Sequence, residues 1–134
     1  MFPLRGEVEV AGKLALVPQV PWIQNATIQE NILFGQPMNT KKYYKVISAA
    51  QLTKDLEAMS ANDQTEVGER GTTLSGGQKA RVALARALYS PSDVFLLDDV
   101  LAACDAKVSK KIFDEAVLDM LRGKTVILVT NDVE

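Results

Sequence analysis

Histidine is absent from this chain of 134 residues, and cysteine occurs once, at Cys104. The first absence removes the commonest general base and metal ligand. The second excludes an internal disulfide and fits a reducing compartment. Neither sign of charge dominates: 15 Lys and Arg stand against 17 Asp and Glu, a net charge of −2, with no run of Lys or Arg on one segment. The sequence therefore gives no electrostatic case for nucleic acid or an anionic membrane surface as a partner. Long apolar runs are missing too. The longest candidates, "VILV" and "VFLL", are strand-sized, far short of the roughly 20 residues that span a bilayer. The N-terminal "MFPLRGEVEVAG" has no apolar core of a signal peptide. What is there, 47% hydrophobic and 24% charged residues, has the composition of a soluble globular chain with room for about one domain.

Three short apolar runs, Leu14 to Val17, Val94 to Leu97 and Val126 to Val129, read as strands. Their hydrophobicity is continuous rather than alternating, which predicts a parallel sheet covered on both faces. Helical patterns lie between them. Thr27 and Glu30 form a capping box, helices are predicted around Lys42 to Leu52 and Lys54 to Met59, and a long one over Gln78 to Tyr89 stops before Pro91. Asp105 caps "AKVSKKIFDEAVLDML", whose Val108, Ile112, Ala116 and Met120 form one stripe. Strands alternating with helices make the fold class α/β. No internal repeat or low-complexity tract interrupts it.

Two motifs carry chemistry. "VFLLDD" is a buried strand ending in Asp98 and Asp99, and strand carboxyl ends of open α/β sheets are where ligands gather and acids hold Mg²⁺ near phosphates. Its plainer reading is a turn with solvated carboxylates. "LSGGQ" places Leu74, Ser75, Gly76, Gly77 and Gln78 directly before the strong helix former "KARVALARALY". Free N–H groups and the positive dipole end make such a helix start a seat for phosphate. The glycines let an anion reach the backbone, and the Ser75 hydroxyl adds a donor. Here the plainer reading is a flexible loop with Ser75 as an ordinary cap. A phosphate-cradling G-x-x-x-x-G-K-[ST] loop is not found. Gly123-Lys124-Thr125 imitates its end, but Leu118 stands where the first glycine belongs, and the triplet lies between a helix and a strand.

Order and spacing link these pieces. "LVPQVPWIQNATIQENILFG", "TEVGERGTTLSGGQKARVALARAL", "VFLLDDVLAACDA" and "KTVILVTND" together resemble the nucleotide-binding domain of ATP-binding cassette (ABC) transporters. The wording "PWIQNATIQENILFG" is most similar to the first cassette of the multidrug-resistance-associated (C) subfamily of exporters. The resemblance implies a P-loop NTPase-like cassette with a parallel core sheet and a helical, LSGGQ-bearing subdomain at about 27–90. It implies ATP and Mg²⁺ as cofactors. Gln19 falls at the Q-loop glutamine that contacts Mg²⁺ and senses the γ-phosphate, and Asp98 at the Walker B aspartate that positions Mg²⁺. Leu74 to Gln78 form the signature that presses on ATP held by a second cassette in a head-to-tail dimer, and Asp105 lies in the D-loop. Trp22 and the stretch from Thr65 to Gly71 fall where exporters meet their transmembrane domains. The implied location is the cytoplasmic face of a membrane, within an integral membrane transporter.

The departures from the family pattern are equally specific. Walker A and the adenine-stacking aromatic belong upstream of Met1. Residues 1–134 are therefore expected to be a partial domain, from the Q-loop to the switch position, without the P-loop strand and helix, and inactive alone. By resemblance the missing strand is expected between the strands ending at Asp98 and Thr130. Asp99 replaces the glutamate that serves as general base and, one methylene shorter, aligns water poorly. Asn131 replaces the switch histidine, and an amide exchanges no proton near neutrality. The reading is a fragment of the ATPase domain of an ATP-driven exporter that lends its LSGGQ arm to a partner's site. A soluble cassette ATPase and a truncated, non-catalytic interaction fragment are the alternatives. The transported substrate is not encoded here.

Overall fold

In the computed structural model, residues 5–71 and 73–131 are described; Met1, Pro3 and Thr72, before the LSGGQ stretch, lie outside them. Three parallel strands, β1 (Leu14–Val17), β2 (Val94–Asp98) and β3 (Thr125–Val129), form a sheet in the order β1-β2-β3. Leu14 pairs with Val94 and Val94 with Thr125, and the ladder runs on to Asp98 opposite Val129. The parallel α/β class read from the continuous apolar runs is what the chain adopts.

The predicted helices are present with shifted ends. They are α1 (Ile28–Leu33), α2 (Thr40–Ala49), α3 (Thr53–Glu57), α4 (Gly76–Tyr89) and α5 (Ala106–Ile112). The Thr27 box closes as expected: the Thr27 hydroxyl accepts from Glu30 N–H at 3.1 Å while Thr27 N–H donates to the Glu30 carboxylate at 2.8 Å. Asp105 caps α5 through Val108 N–H. The helix then widens into a π-helix over Phe113–Met120, and Ile112 and Ala116 of the predicted stripe are fully buried.

The helix α4 is the fold's central rod. It packs on α1, α2 and β1, and seven of its residues, from Val82 to Tyr89, are buried. Tyr43, fully buried on α2, donates its hydroxyl to Asp63 at 2.9 Å. Burial, followed by that carboxylate, pushes its pKa upward.

Two expectations are corrected. The sheet is covered on one face only: Ala15, Val17, Phe95 and Leu97 point into the core, whereas Leu14, Leu16, Ile127 and Val129 are 48–59% exposed. Continuous hydrophobicity reports what a strand could bury, and among the described residues no helix lies over the second face. Nor is there room for a P-loop strand between the strands ending at Asp98 and Thr130. The facing edges of β2 and β3 already bond each other along five residue pairs, so a further strand can join only at an outer edge of β1 or β3.

Candidate functional site

The start of α4 explains the two glycines differently. Ser75 is the N-cap: its Oγ accepts from Gln78 N–H at 3.2 Å, and Gln78 Oε1 accepts from Ser75 N–H at 2.9 Å. The helix therefore begins at Gly76, two residues before the apolar pattern suggests, and the N-terminus is well built, not a flexible loop. Because the Ser75 oxygen accepts, its own proton is left to donate. Among the described residues the N–H groups of Gly76 and Gly77 have no partner, as first-turn donors of a helix do not. A side chain at Gly76 would meet nothing within 4 Å, whereas a Cβ at Gly77 would stand 2.7 Å from the Ala103 carbonyl oxygen. Gly76 is open to solvent space; Gly77 is required by a close backbone approach within the chain itself.

Leu74, next to the cap, is buried at 6% exposure, so its side chain anchors the turn in the core. Gln78 also looks inward, donating Nε2 to Asp55 at 3.2 Å. The same carboxylate receives Nε and Nη2 of Arg81 at 3.2 and 2.7 Å. Burial draws the Arg81 pKa down, but Asp55, with a smaller contribution from Cys104, reverses this and leaves it raised.

At the carboxyl end of β2, Asp98 ends the ladder with an exposed side chain. Asp99 takes a left-handed φ of 54° while its N–H still donates to Val129 C=O at 2.8 Å. Short polar Asp tolerates that conformation, and it turns the carboxylate toward the loop after β1, where Gln19 Nε2 donates to Asp99 Oδ2 at 3.1 Å. A cavity of about 260 Å³ is lined by Gln19, Gly76, Asp99 and Ala103. Three of the sequence-predicted site residues thus meet on one cleft. Asp105 is exposed and occupied as the α5 cap, and Asn131 is exposed just beyond β3.

Two oxygen donors bear on a metal, and Asp98 is not among the residues lining the cavity that Gln19 and Asp99 share. Asp98 offers a carboxylate and Gln19 a carbonyl oxygen, since its amide nitrogen is used by Asp99. Among the described residues no three of His, Cys, Asp and Glu converge on one point. Mg²⁺ is commonly held by one or two protein oxygens plus phosphate and water, and a carboxylate and an amide carbonyl are donors of the kind that ion takes.

The two segments expected to face transmembrane domains lie side by side. Thr27 and Glu66 form an antiparallel bridge, Ile28 N–H donates to Thr65 C=O at 3.1 Å, and Val67 N–H to Ala26 C=O at 3.1 Å. Trp22 and Phe34 remain 54% and 47% exposed, edge to face at 5.8 Å. The guanidinium of Arg86 lies 4.9 Å from one ring and 5.0 Å from the other. It also donates to Trp22 C=O, Asn31 C=O and Asn31 Oδ1 at 2.7–2.8 Å, and burial lowers its pKa. Arg86, Asn31 and Asp55 were not singled out by sequence reasoning. A charge inside the apolar face of α4 was the available signal for Arg86; the contacts of Asn31 with Arg86 and of Asp55 with Gln78 and Arg81 join residues distant in sequence and left none.

The sequence profile of the ABC transporter family matches residues 5–102. The chain is 52% identical over 135 aligned residues to "ATP-binding cassette sub-family C member 3" of Rattus norvegicus, covering 99% of this chain and 9% of the rat protein. It is 53% identical over 133 residues to "Multidrug resistance protein mrp-7" of Caenorhabditis elegans, and 51% over 131 residues to "ABC transporter C family member 13" of Oryza sativa subsp. indica. Each of these alignments covers 98% of the chain and 9% of the relative. The chain therefore spans about a tenth of the length of these relatives.

Proposed function

The chain belongs to the ABC transporter family, and from that premise we propose that it is part of the ATP-hydrolysing domain of an ATP-driven membrane exporter, lending its α4 N-terminus to an ATP site held by a second cassette. The observation that carries this reading is the open seat at Ser75–Gly76: a capped, rigid helix start with outward donors and no side chain in front of them. Such a start favours an anion through its free N–H groups and the dipole. Residues 1–134 then form a partial nucleotide-binding domain with its helical subdomain at about 27–90. Relatives that carry transporter and multidrug-resistance names favour the exporter over a soluble cassette ATPase.

In this reading bound Mg-ATP supplies the phosphoryl chemistry, and the chain's own residues bind and orient. Asp98 and the Gln19 carbonyl would hold Mg²⁺ at the chain's own nucleotide site. Asp99, already hydrogen-bonded by Gln19 and short for a general base, and Asn131, which carries no titratable proton, make that site a holder of nucleotide, not a hydrolase. Alone the chain lacks a phosphate loop and is inactive. Trp22, Phe34 and the stretch 65–71 form the face toward the transmembrane domains, on the cytoplasmic side of the membrane. No described helix is long and apolar enough to cross that membrane.

The test separates the two glycines. Gly76→Asp introduces a side chain into open space at the first helical position, where a negative charge leaves stability unchanged or raises it by about 0.3–1 kcal/mol. In the full-length transporter it is expected to abolish ATP-driven closure and transport by blocking and repelling a partner-held γ-phosphate. Gly77→Ala is expected to lower domain stability by about 1–3 kcal/mol, because its Cβ forces the Ala103 carbonyl to move. Transport and unfolding are measured on both variants. Normal transport in Gly76→Asp overturns the phosphate seat.

A further inference from the structure

Asp55, on α3, reaches the start of α4 from another part of the fold, and the function outlined above makes no use of it. One carboxylate fixes two side chains a single turn apart, Gln78 through Oδ1 and Arg81 through Oδ2. The Arg81 and Asp55 side chains are 14% and 19% exposed, so this pair is shielded from the water that weakens surface ion pairs. We propose that Asp55 is the positioning residue of the phosphate seat: it holds the Gln78 amide in the orientation that presents Ser75 and Gly76 outward, and holds Arg81 against the loop that precedes Asp105.

An amide side chain has one donor end and one acceptor end. Asp55, an acceptor only, engages the donor end of Gln78, so Oε1 must face Ser75 N–H, as it does at 2.9 Å. Were the amide to flip, its NH₂ would face the Ser75 N–H, donor against donor, and the capping box would open. The Ser75 N–H would then have no acceptor, and the bond from Gln78 N–H to the Ser75 hydroxyl would be the one arm left to fix the cap. The second arm works on the neighbouring loop. Arg81 Nη1 lies 3.8 Å from Cys104 Sγ, beside the Ala103 carbonyl that crowds Gly77. One acid thereby ties α3, the seat and the loop before α5 into a unit. The inference rests on the reading that this seat meets a γ-phosphate.

ATP and ADP differ by that phosphate, which gives a readout that a merely structural ion pair does not move. In the full-length transporter, Asp55→Asn keeps the size of the side chain and removes its charge. It is expected to raise the ATP concentration for half-maximal transport about tenfold, the scale of one lost hydrogen bond to a charged group. ADP affinity stays as in the unaltered protein, because the loss is confined to the contact with the γ-phosphate. Gln78→Leu removes the amide while leaving the Asp55–Arg81 pair in place, and is expected to shift ATP dependence in the same direction should Asp55→Asn fold poorly. Equal losses for ATP and ADP, or no change with either variant, overturn the inference. Gly76→Asp, run in parallel, separates the two levels. Normal transport there overturns the phosphate seat itself, whereas lost transport there with unaltered ATP dependence in Asp55→Asn and Gln78→Leu overturns only the role of Asp55.

Discussion

Single residues in this chain divide into those the linear sequence exposes and those only the fold explains. Gly76 and Gly77 look equivalent in "LSGGQ", yet one faces open space and the other a backbone carbonyl from residue 103. No local pattern distinguishes them, because the obstacle comes from a distant loop. Asn31 is the clearest case of the second kind. It is fully buried on α1, and all of its polar capacity is used: Oδ1 accepts from Gln24 N–H and Arg86 Nη2, and Nδ2 donates to the carbonyls of Gln24 and Thr27. Asn31→Leu keeps the branched shape and the number of side-chain heavy atoms and strands the Gln24 N–H together with one arm of a half-buried guanidinium. Leaving such groups unpaired costs about 1–3 kcal/mol each, so a loss of about 2–5 kcal/mol is expected in urea unfolding of the complete domain. The exposed Trp22–Phe34 surface should loosen with it, since Arg86 holds both rings. An Asn31→Leu domain within about 0.5 kcal/mol of the original would show that Arg86 finds other partners.

At the scale of elements, helix starts were more legible than helix ends. Thr27, Ser75 and Asp105 all cap as their chemistry suggests, because a cap is a local hydrogen bond between residues two or three apart. The widening of α5 into a π-helix was not legible, since Phe113–Met120 has an ordinary helical pattern; the widened segment packs against α2. The cap of α1 has a pH signature. The Glu30 carboxyl is held below its usual value of 4.5, first by the Thr27 backbone N–H and then by the Thr27 hydroxyl, with burial opposing weakly. A carboxylate with a depressed folded-state pKa stabilises fully above its unfolded value, and that contribution disappears as pH falls through the folded value. Glu30→Gln, which still caps but does not titrate, should therefore unfold with a shallower acid dependence below about pH 4.5. Asp93 is shifted downward as well, chiefly by Lys13 N–H and then by Lys124, but it is present in both proteins and cancels in the difference. Unfolding midpoints of the two domains between about pH 7 and pH 3.5 check this; parallel curves would mean that the cap bond is absent in solution.

The whole molecule was legible as parallel α/β because buried strands and capped helices alternate along it, but composition did not reveal how many sheet faces are covered. A strand of four or five apolar residues reads the same whether one side or both are packed. Here Leu14 and Leu16 on β1 share the second face with Ile127 and Val129 on β3, Leu96 of β2 lying in register between Leu16 and Ile127, and the four outer residues stand 48–59% exposed. The outer edges of β1 and β3 add rows of backbone donors and acceptors that pair with any similar edge. A contiguous apolar patch on a sheet whose two outer edges are unpaired among the described residues is an association surface, so the 134-residue chain produced by itself is expected to self-associate at micromolar concentration. The stacking of two such faces, not the edges, should dominate, because the apolar area lies on the face. The combination Leu16→Lys with Ile127→Lys puts one charge on each side of Leu96 at the middle of that face and leaves the ladder untouched. Multi-angle light scattering should then show a monomer where the unaltered chain shows higher mass. If the double variant still associates while charged substitutions that block the outer edge of β3 release monomer, edge pairing is the cause and the face is not. On the proposed reading of a partial domain, a layer of the complete domain that covers this face would bury both charges without a counter-ion, and the same two lysines should there be strongly destabilising. That reversal of sign, solubilising in the short chain and destructive in the long one, is the measurement that separates a surface meant for water from one meant for a neighbour.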